Sequence, residues 1–291
     1  MPRDRLAVVL LVPPPVADEV DGLRRACGDP ALGRVPPHIT LVPPVNVHVE
    51  LVPDVLRVLR GAAGEVRPFT VSLGPVTTFA PVTPTLHLAV TDPAGPYADD
   101  RRGGLAGVGL LHDRCLAGPL ARRVDHEFVP HVTLAQEATA TRIEAALAAL
   151  GSYRSTIALD RLHLMQEERG DDGVRRWWPV ADVPFGPVRV VGRGGFAVEL
   201  TPSRLLDPEA RAVLGAQGPV AVPAGADPLV VTARHEGRAV GVLTGWTRDD
   251  VAQLVGRVVV MPEAWAREDV AAHLRAAFAS AAADRGCAVA E

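Results

Sequence analysis

Two pentapeptides constrain this chain more than anything else in it: Pro37-His38-Ile39-Thr40-Leu41 and Pro130-His131-Val132-Thr133-Leu134. Each places a proline before a histidine, then runs β-branched, Thr, Leu. Polar and apolar residues alternating with a period of two belong to a strand buried on one face and polar on the other. His38 and Thr40 therefore share a face, as do His131 and Thr133, while Ile39, Leu41, Val132 and Leu134 point into a core. The histidines lie 93 positions apart, so the pattern reads as an internal duplication. Two such strands facing each other across a cleft would present two imidazoles and two hydroxyls to one ligand.

That set suits cleavage of a phosphodiester without a metal. A neutral imidazole takes a proton from water or a ribose hydroxyl, and a protonated one gives a proton to the leaving oxygen. Histidine is the side chain whose ordinary pKa makes both states available near neutrality. Threonine hydroxyls donate hydrogen bonds to non-bridging oxygens as charge builds on them, a contribution worth roughly 3–4 kcal/mol per donor. His38 and His131 are thus the expected catalytic pair, with Thr40 and Thr133 as phosphate-binding residues.

The periodicity along the chain predicts strands at 6–12, 38–42, 69–73, 86–90, 129–135, 157–165 and 176–180. It predicts helices at 16–27, 50–61 and 138–150, with an irregular helix around 110–116. Alternating strands and helices place residues 1–187 in the α+β class. Prolines and glycines from 188 to 195 read as a linker to a second domain, 196–291. There, strands are expected at 196–200, 229–233, 239–246 and 254–261, a long helix at 263–285, and the start of a last strand at 287–290, where the sequence ends.

Composition excludes several classes. The net charge is −4, with no block of like charge, so duplex nucleic acid is not an expected partner. All 30 basic residues are arginine, which rules out a Schiff-base lysine, a lysyl-nucleotide intermediate and a P-loop lysine. Three widely spaced cysteines, Cys27, Cys115 and Cys287, form neither a disulfide framework nor a C-x-x-C metal pattern, as expected of a cytoplasmic protein. The apolar run Leu6–Val12 is too short for a signal peptide or membrane span and reads as a buried first strand. No histidine spacing suggests a metal, and no cofactor is expected. His87 and His163, each between leucines, read as core or edge residues, with a place in the cleft for one of them as the alternative; His126 reads as no ligand, and His48, His112, His235 and His273 as surface residues. Arg5, Arg34, Arg122 and Arg123 are candidates by position to meet a substrate phosphate. Trp177 and Trp178 are candidates to stack on a base.

The paired motifs, with Phe128-Val129 before the second, resemble the signatures of the 2H phosphoesterase superfamily, which includes the 2′-5′ RNA ligases and RNA 2′,3′-cyclic phosphodiesterases. Arg5 before Leu-Ala-Val, Thr85-Leu86-His87-Leu88 at a central strand, and Trp177-Trp178 after the last strands agree with it. The resemblance covers residues 1–187. It implies a bilobal α+β fold with a central cleft holding His38, Thr40, His131 and Thr133. It also implies metal-independent opening of a 2′,3′-cyclic phosphate, or chemistry at a 2′-5′ linkage, on a nucleotide or RNA terminus. Residues 196–291 resemble part of a GNAT acyltransferase, in which the turn after a strand holds the pyrophosphate of coenzyme A at a helix N-terminus. Here Glu268 and Val270 stand where that family carries glycines, and Glu268 and Asp269 would repel a pyrophosphate. The resemblance therefore implies a partial, degenerate α/β module, and acetyl-CoA is not expected to bind it.

Overall fold

In the computed structural model, residues 2–93, 104–187, 189–192, 197–218, 221–249, 251–253, 258–260 and 267–290 are described. The chain forms two compact units, 1–179 and 180–291.

The first unit runs β1 (Arg3–Leu11), α1 (Val16–Cys27), β2 (His38–His48), α2 (Val52–Gly64), β3 (Phe69–Thr78), β4 (Leu86–Thr91), α3 (Gly104–Cys115), β5 (His131–Ala135), α4 (Ala140–Leu150), β6 (Ser155–Leu159), β7 (Arg161–Arg169) and β8 (Arg175–Pro184). The strands join in one sheet of order β6-β3-β4-β5-β2-β1-β7-β8. Leu6, Val8 and Leu10 of β1 lose almost all contact with water, and so do Ala7 and Val9 of its other face. A strand covered on both faces reads as a continuous apolar run, which is why Leu6–Val12 does not alternate. Ile39, Leu41, Val132, Leu134, Leu86 and Leu88 are fully buried on the core side of β2, β5 and β4.

The two motif strands are hydrogen-bonded antiparallel neighbours in this single sheet, with Ile39 opposite Val132. The expectation of two strands facing each other across a cleft is thereby replaced. The imidazoles and hydroxyls converge because they share one face of adjacent strands. β2 also continues past the Pro43-Pro44 expected to end it. Its pairing with β1 slips between Leu6 and Val8, so the prolines fall in the irregularity, where no ladder N–H is needed.

Helix ends follow local chemistry. Gly28 closes α1 at φ 69°, where its N–H bonds back to the last turn. The Thr139 hydroxyl accepts from the Arg142 N–H at the start of α4. No helix of the described residues is long and apolar enough to cross a membrane.

The second unit contains β9 (Arg189–Val191), β10 (Val198–Ser203), α5 (Pro208–Leu214), β11 (Asp227–His235), β12 (Arg238–Arg248), β13 (Val251–Gln253), β14 (Val259–Val260), α6 (Arg267–Ala283) and β15 (Ala288–Ala290). The unit boundary falls inside β8, ahead of residue 187, and part of the expected linker is strand β9, paired with β10. The sheet order is β15-β13-β12-β11-β10-β9, with β14 also on β12. All pairings are antiparallel except β13 with β15, which are parallel. Phe196, most of the expected strand 254–261, and the turn 262–266 with Trp265 lie outside the described residues.

Between β11 and α5 sits a charge cluster. Arg234 is fully buried, with Nη2 2.5 Å from Asp207 and Nε 3.3 Å from Glu209. Asp207 also caps α5 through the Ala210 N–H. Removing one partner of a buried pair strands the other charges without compensation, at a cost of about 3–5 kcal/mol. Arg234→Ala should therefore lower the stability of this unit by that amount in urea denaturation. A loss below about 1 kcal/mol would mean that the cluster contributes little.

Candidate functional site

The site grows from the β2–β5 register. Continuing the Ile39–Val132 pairing places His38 opposite Thr133 and Thr40 opposite His131. Each histidine therefore stands across from the hydroxyl of the other motif. Diagonal neighbours on such a ladder lie roughly 7–8 Å apart, which leaves room for a phosphate between the imidazoles. The flanking strands extend the pattern. On one side Leu11 pairs with His38 and Val9 with Thr40; on the other, His87 pairs with Thr133 and Ala89 with His131. All of these residues lie on the same face of the sheet.

Both imidazoles are held by the same local device. His38 Nδ1 is 2.7 Å from the carbonyl of Pro36, and His131 Nδ1 is 2.8 Å from that of Val129. A carbonyl only accepts, so each Nδ1 carries the proton and donates, leaving Nε2 as the unprotonated nitrogen of the neutral ring. The proline beside each histidine belongs to this turn. In the first motif Pro36 supplies the acceptor, and in the second Pro130 stands between Val129 and His131. Burial lowers the pKa of both rings below the ordinary value near 6.5. The Arg24 guanidinium and His131 lower His38 further, and the two backbone hydrogen bonds pull in the opposite direction.

His38, Thr40, His131 and Thr133 line one cavity of about 380 Å³, together with Arg24, Arg34, Gln136, Met165 and Trp177. Ala7, Val9, Leu11, Met165 and Trp177 form an apolar patch beside the first motif. Of the residues expected by position, Arg34 and Trp177 reach this cavity. They are tied together, since the Trp177 N–H donates to the Arg34 carbonyl and Arg34 Nε donates to that of Arg175. Arg5 does not line the cavity and lies 3.7 Å from Glu167. Trp178 is on the opposite side of β8 and half-exposed. Arg122 and Arg123 line a neighbouring cavity. His112, read as a surface residue, is buried: its Nδ1 is 2.7 Å from the Leu41 carbonyl, and its ring stacks on Phe128 at 3.8 Å. Its helix, α3, brings it against β2, and the stripe was obscured by the glycines of that helix.

Two contributions were missed in the sequence. The first is Arg24, nearly fully buried on α1 in the stripe Val20–Arg24–Cys27. An arginine at i, i+4 and i+7 spacing with buried apolar residues was the available signal. Its Nε is 2.7 Å from Asp29, and its Nη atoms donate to the carbonyls of Val35 and Ala31. It thus holds the loop that ends at Pro36, the acceptor of the His38 ring. The second is Phe79, packed on His87, a residue read as core that is indeed buried. Their rings stack at 3.9 Å, and both meet His131 edge-to-face, at 4.9 and 5.2 Å. Burial, helped by His131, pushes the His87 pKa down to about 4, which favours the neutral ring. Among the described residues, no group of three or more His, Cys, Asp or Glu is arranged to hold a metal ion.

The Arg24 network makes a test of geometry at a distance from the His38 ring. Asp29→Asn keeps the shape of the carboxylate but removes its charge, and Arg24→Ala leaves Asp29 buried and unpaired. Arg24→Ala should cost about 3–5 kcal/mol of stability, and Asp29→Asn less. In Asp29→Asn the His38 ring resonances in NMR should report a reoriented imidazole, with His131 unchanged. Unchanged His38 signals would show that the loop holds its shape without the pair.

A family model described as the 2′-5′ RNA ligase superfamily matches residues 12–171. A "putative phosphoesterase" of Bacillus cytotoxicus is 30% identical over 167 residues, which are 56% of this chain and 88% of that protein. One of Bacillus licheniformis is 28% identical over 163 residues, 55% of this chain and 88% of that protein. Among solved structures, E. coli LigT complexed with 3′-AMP aligns at 16% identity and a TM-score of 0.45, over 63% of this chain and 99% of that one. The family model spans more than half of the chain and takes in both His-x-Thr strands: the chain belongs to the 2′-5′ RNA ligase superfamily.

Proposed function

We propose that the first unit is a metal-independent phosphodiesterase that opens a 2′,3′-cyclic phosphate, or acts at a 2′-5′ linkage, on a nucleotide or RNA terminus. The observation that carries this reading is the crossed quartet, in which each imidazole faces the hydroxyl of the other motif with its Nε2 left to exchange protons. A phosphate between the rings would have water on one side and the departing ester oxygen on the other. One imidazole takes a proton from water as its oxygen bonds to phosphorus. The other gives a proton to the leaving oxygen as that P–O bond breaks. Thr40 and Thr133 donate to the non-bridging oxygens, whose charge grows in the transition state. The names of the relatives agree with a phosphoester substrate.

Two measurements test it. Adenosine 2′,3′-cyclic phosphate should be opened in excess EDTA, and His38→Asn or His131→Asn should each lower kcat by at least 10²-fold, at the low end of what general acid–base groups contribute. Equal turnover in wild type and both variants would refute the assignment. The pH dependence has a definite sign. The profile of kcat/KM reports the free enzyme and peaks midway between the pKa values of base and acid. Both rings lie below the ordinary value, so the maximum should fall on the acid side of pH 6.5. A maximum at pH 8 would mean that other groups do the work.

A second reading concerns the C-terminal unit. Its antiparallel β10-β11-β12 ladder, with α6 returning the chain to β15 parallel to β13, supports the likeness to an acyltransferase module. Glu268 and Asp269, exposed in the first turn of α6, place negative charge where a pyrophosphate would be held. A supporting or partner-binding role fits better than catalysis. Calorimetry should show no binding of acetyl-CoA at 100 μM, and clear micromolar binding would restore the acyltransferase reading.

A further inference from the structure

Each motif relies on a backbone carbonyl two residues before its histidine, and the two carbonyls are held by different means. That of Pro36 ends a loop fastened by the buried Arg24. That of Val129 lies in the segment 121–130, which contains neither helix nor strand. Among the described residues, no backbone-to-backbone hydrogen bond is made by 122–130. Arg123 pairs with its neighbour Asp125 in solvent. Arg122 Nη1 is 3.5 and 3.3 Å from the carbonyls of Pro43 and Pro44, beyond the usual range of a hydrogen bond.

Phe128, next to Val129, is anchored more firmly. Its ring lies flat on that of His112, with centroids 3.8 Å apart and planes 4° from parallel. His112 is itself fixed, because it belongs to the buried stripe of Val108, Leu111, His112 and Cys115 on α3. Its Nδ1 is 2.7 Å from the carbonyl of Leu41, which only accepts, so the ring N–H donates. Leu41 follows Thr40 in the first motif. An imidazole serves both contacts at once. A phenyl ring has the flat face without the donor, and a carboxamide has the donor without the aromatic face.

We infer that His112 is a positioning residue for the second motif: stacked on Phe128 and bonded to the Leu41 carbonyl, it holds the Val129 carbonyl where the His131 Nδ1–H meets it. The consequence for turnover rests on the phosphodiesterase reading; the consequence for the His131 ring does not. With the acceptor in place, the neutral His131 ring keeps one tautomer, its Nε2 unprotonated. With the acceptor displaced, the proton divides between the two nitrogens. The edge-to-face contacts with Phe79 and His87 keep the ring in its place, and the carbonyl sets which nitrogen carries the proton. The effect is confined to His131, since His38 takes its acceptor from the loop that Arg24 holds.

The test uses His112→Gln, Phe128→Leu and the double variant of the full chain. Glutamine keeps a donor for Leu41 and removes the flat face, and leucine removes the ring from the other side of the stack. Phe128 is half-buried in an irregular segment, so Phe128→Leu reports even where His112→Gln fails to fold. Nitrogen-resolved NMR of the imidazoles should show His131 as the Nδ1–H tautomer in the wild type and as a mixture of tautomers in each variant, with His38 unchanged throughout. With adenosine 2′,3′-cyclic phosphate, kcat should fall about tenfold and KM stay within about twofold, as expected when a reacting group is misplaced. The double variant should match the slower single variant within about twofold, because residues acting through one contact are not additive. Multiplied losses in the double variant, an unchanged His131 tautomer in both single variants, or equal changes at His38 and His131 would overturn the assignment. If the wild-type chain leaves the cyclic phosphate intact, the phosphodiesterase reading fails by itself, and the imidazole spectra still decide the role of His112.

Discussion

The pairing of Ile39 with Val132 is the contact on which the site depends. Side chains on a strand change face with every residue, so a slip of one position in either strand would turn its histidine and threonine into the core. The register is held from the apolar side, where Ile39, Leu41, Val132 and Leu134 are fully buried. Exposing any of them would cost about 1.5–3 kcal/mol, so the hydrophobic face sets the positions of the polar one. Residues 93 positions apart are thereby placed on one face of adjacent strands by the pairing of their neighbours.

Placing the histidines carries an electrostatic cost, and the structure meets it with backbone carbonyls. Burial disfavours the charged imidazolium, and the Pro36 and Val129 acceptors partly offset that while setting the tautomer. The loop before His38 has no regular secondary structure to hold it, and the buried Arg24–Asp29 pair takes that role through three hydrogen-bonded groups, Asp29, Ala31 and Val35. A buried ion pair is weak evidence for stability. Its use here is geometric, because a guanidinium makes several directional bonds from one centre.

Much of this was legible in the sequence because it rests on local periodicity. The doubled motif carries its strand character, its polar face and its chemistry within five residues. What escaped depends on which strands are neighbours. Two H-x-T strands are equally compatible with walls facing across a cleft and with adjacent strands of one sheet, and only pairing distinguishes them. His87 and His112 looked like ordinary strand and surface residues, since nothing near either in sequence says that one lies beside His131 and the other beneath Leu41. Arg24 was readable in principle, as a charge on an apolar stripe. The prolines at 43 and 44 misled, because a bulge tolerates what a regular ladder does not.

The two motifs are alike in sequence and local geometry, so any difference between their imidazoles has to come from their surroundings. Those surroundings differ. His38 stands near a buried guanidinium, whose charge opposes protonation of the ring. His131 stands against Phe79 and His87, an aromatic setting in which burial is the largest influence on its ring. Acid–base catalysis needs two groups that hold different protonation states at one pH, and enzymes obtain that difference from environment more than from residue type. The motif occurs twice and presents two alike imidazoles, and unequal neighbours give them different electrostatic settings.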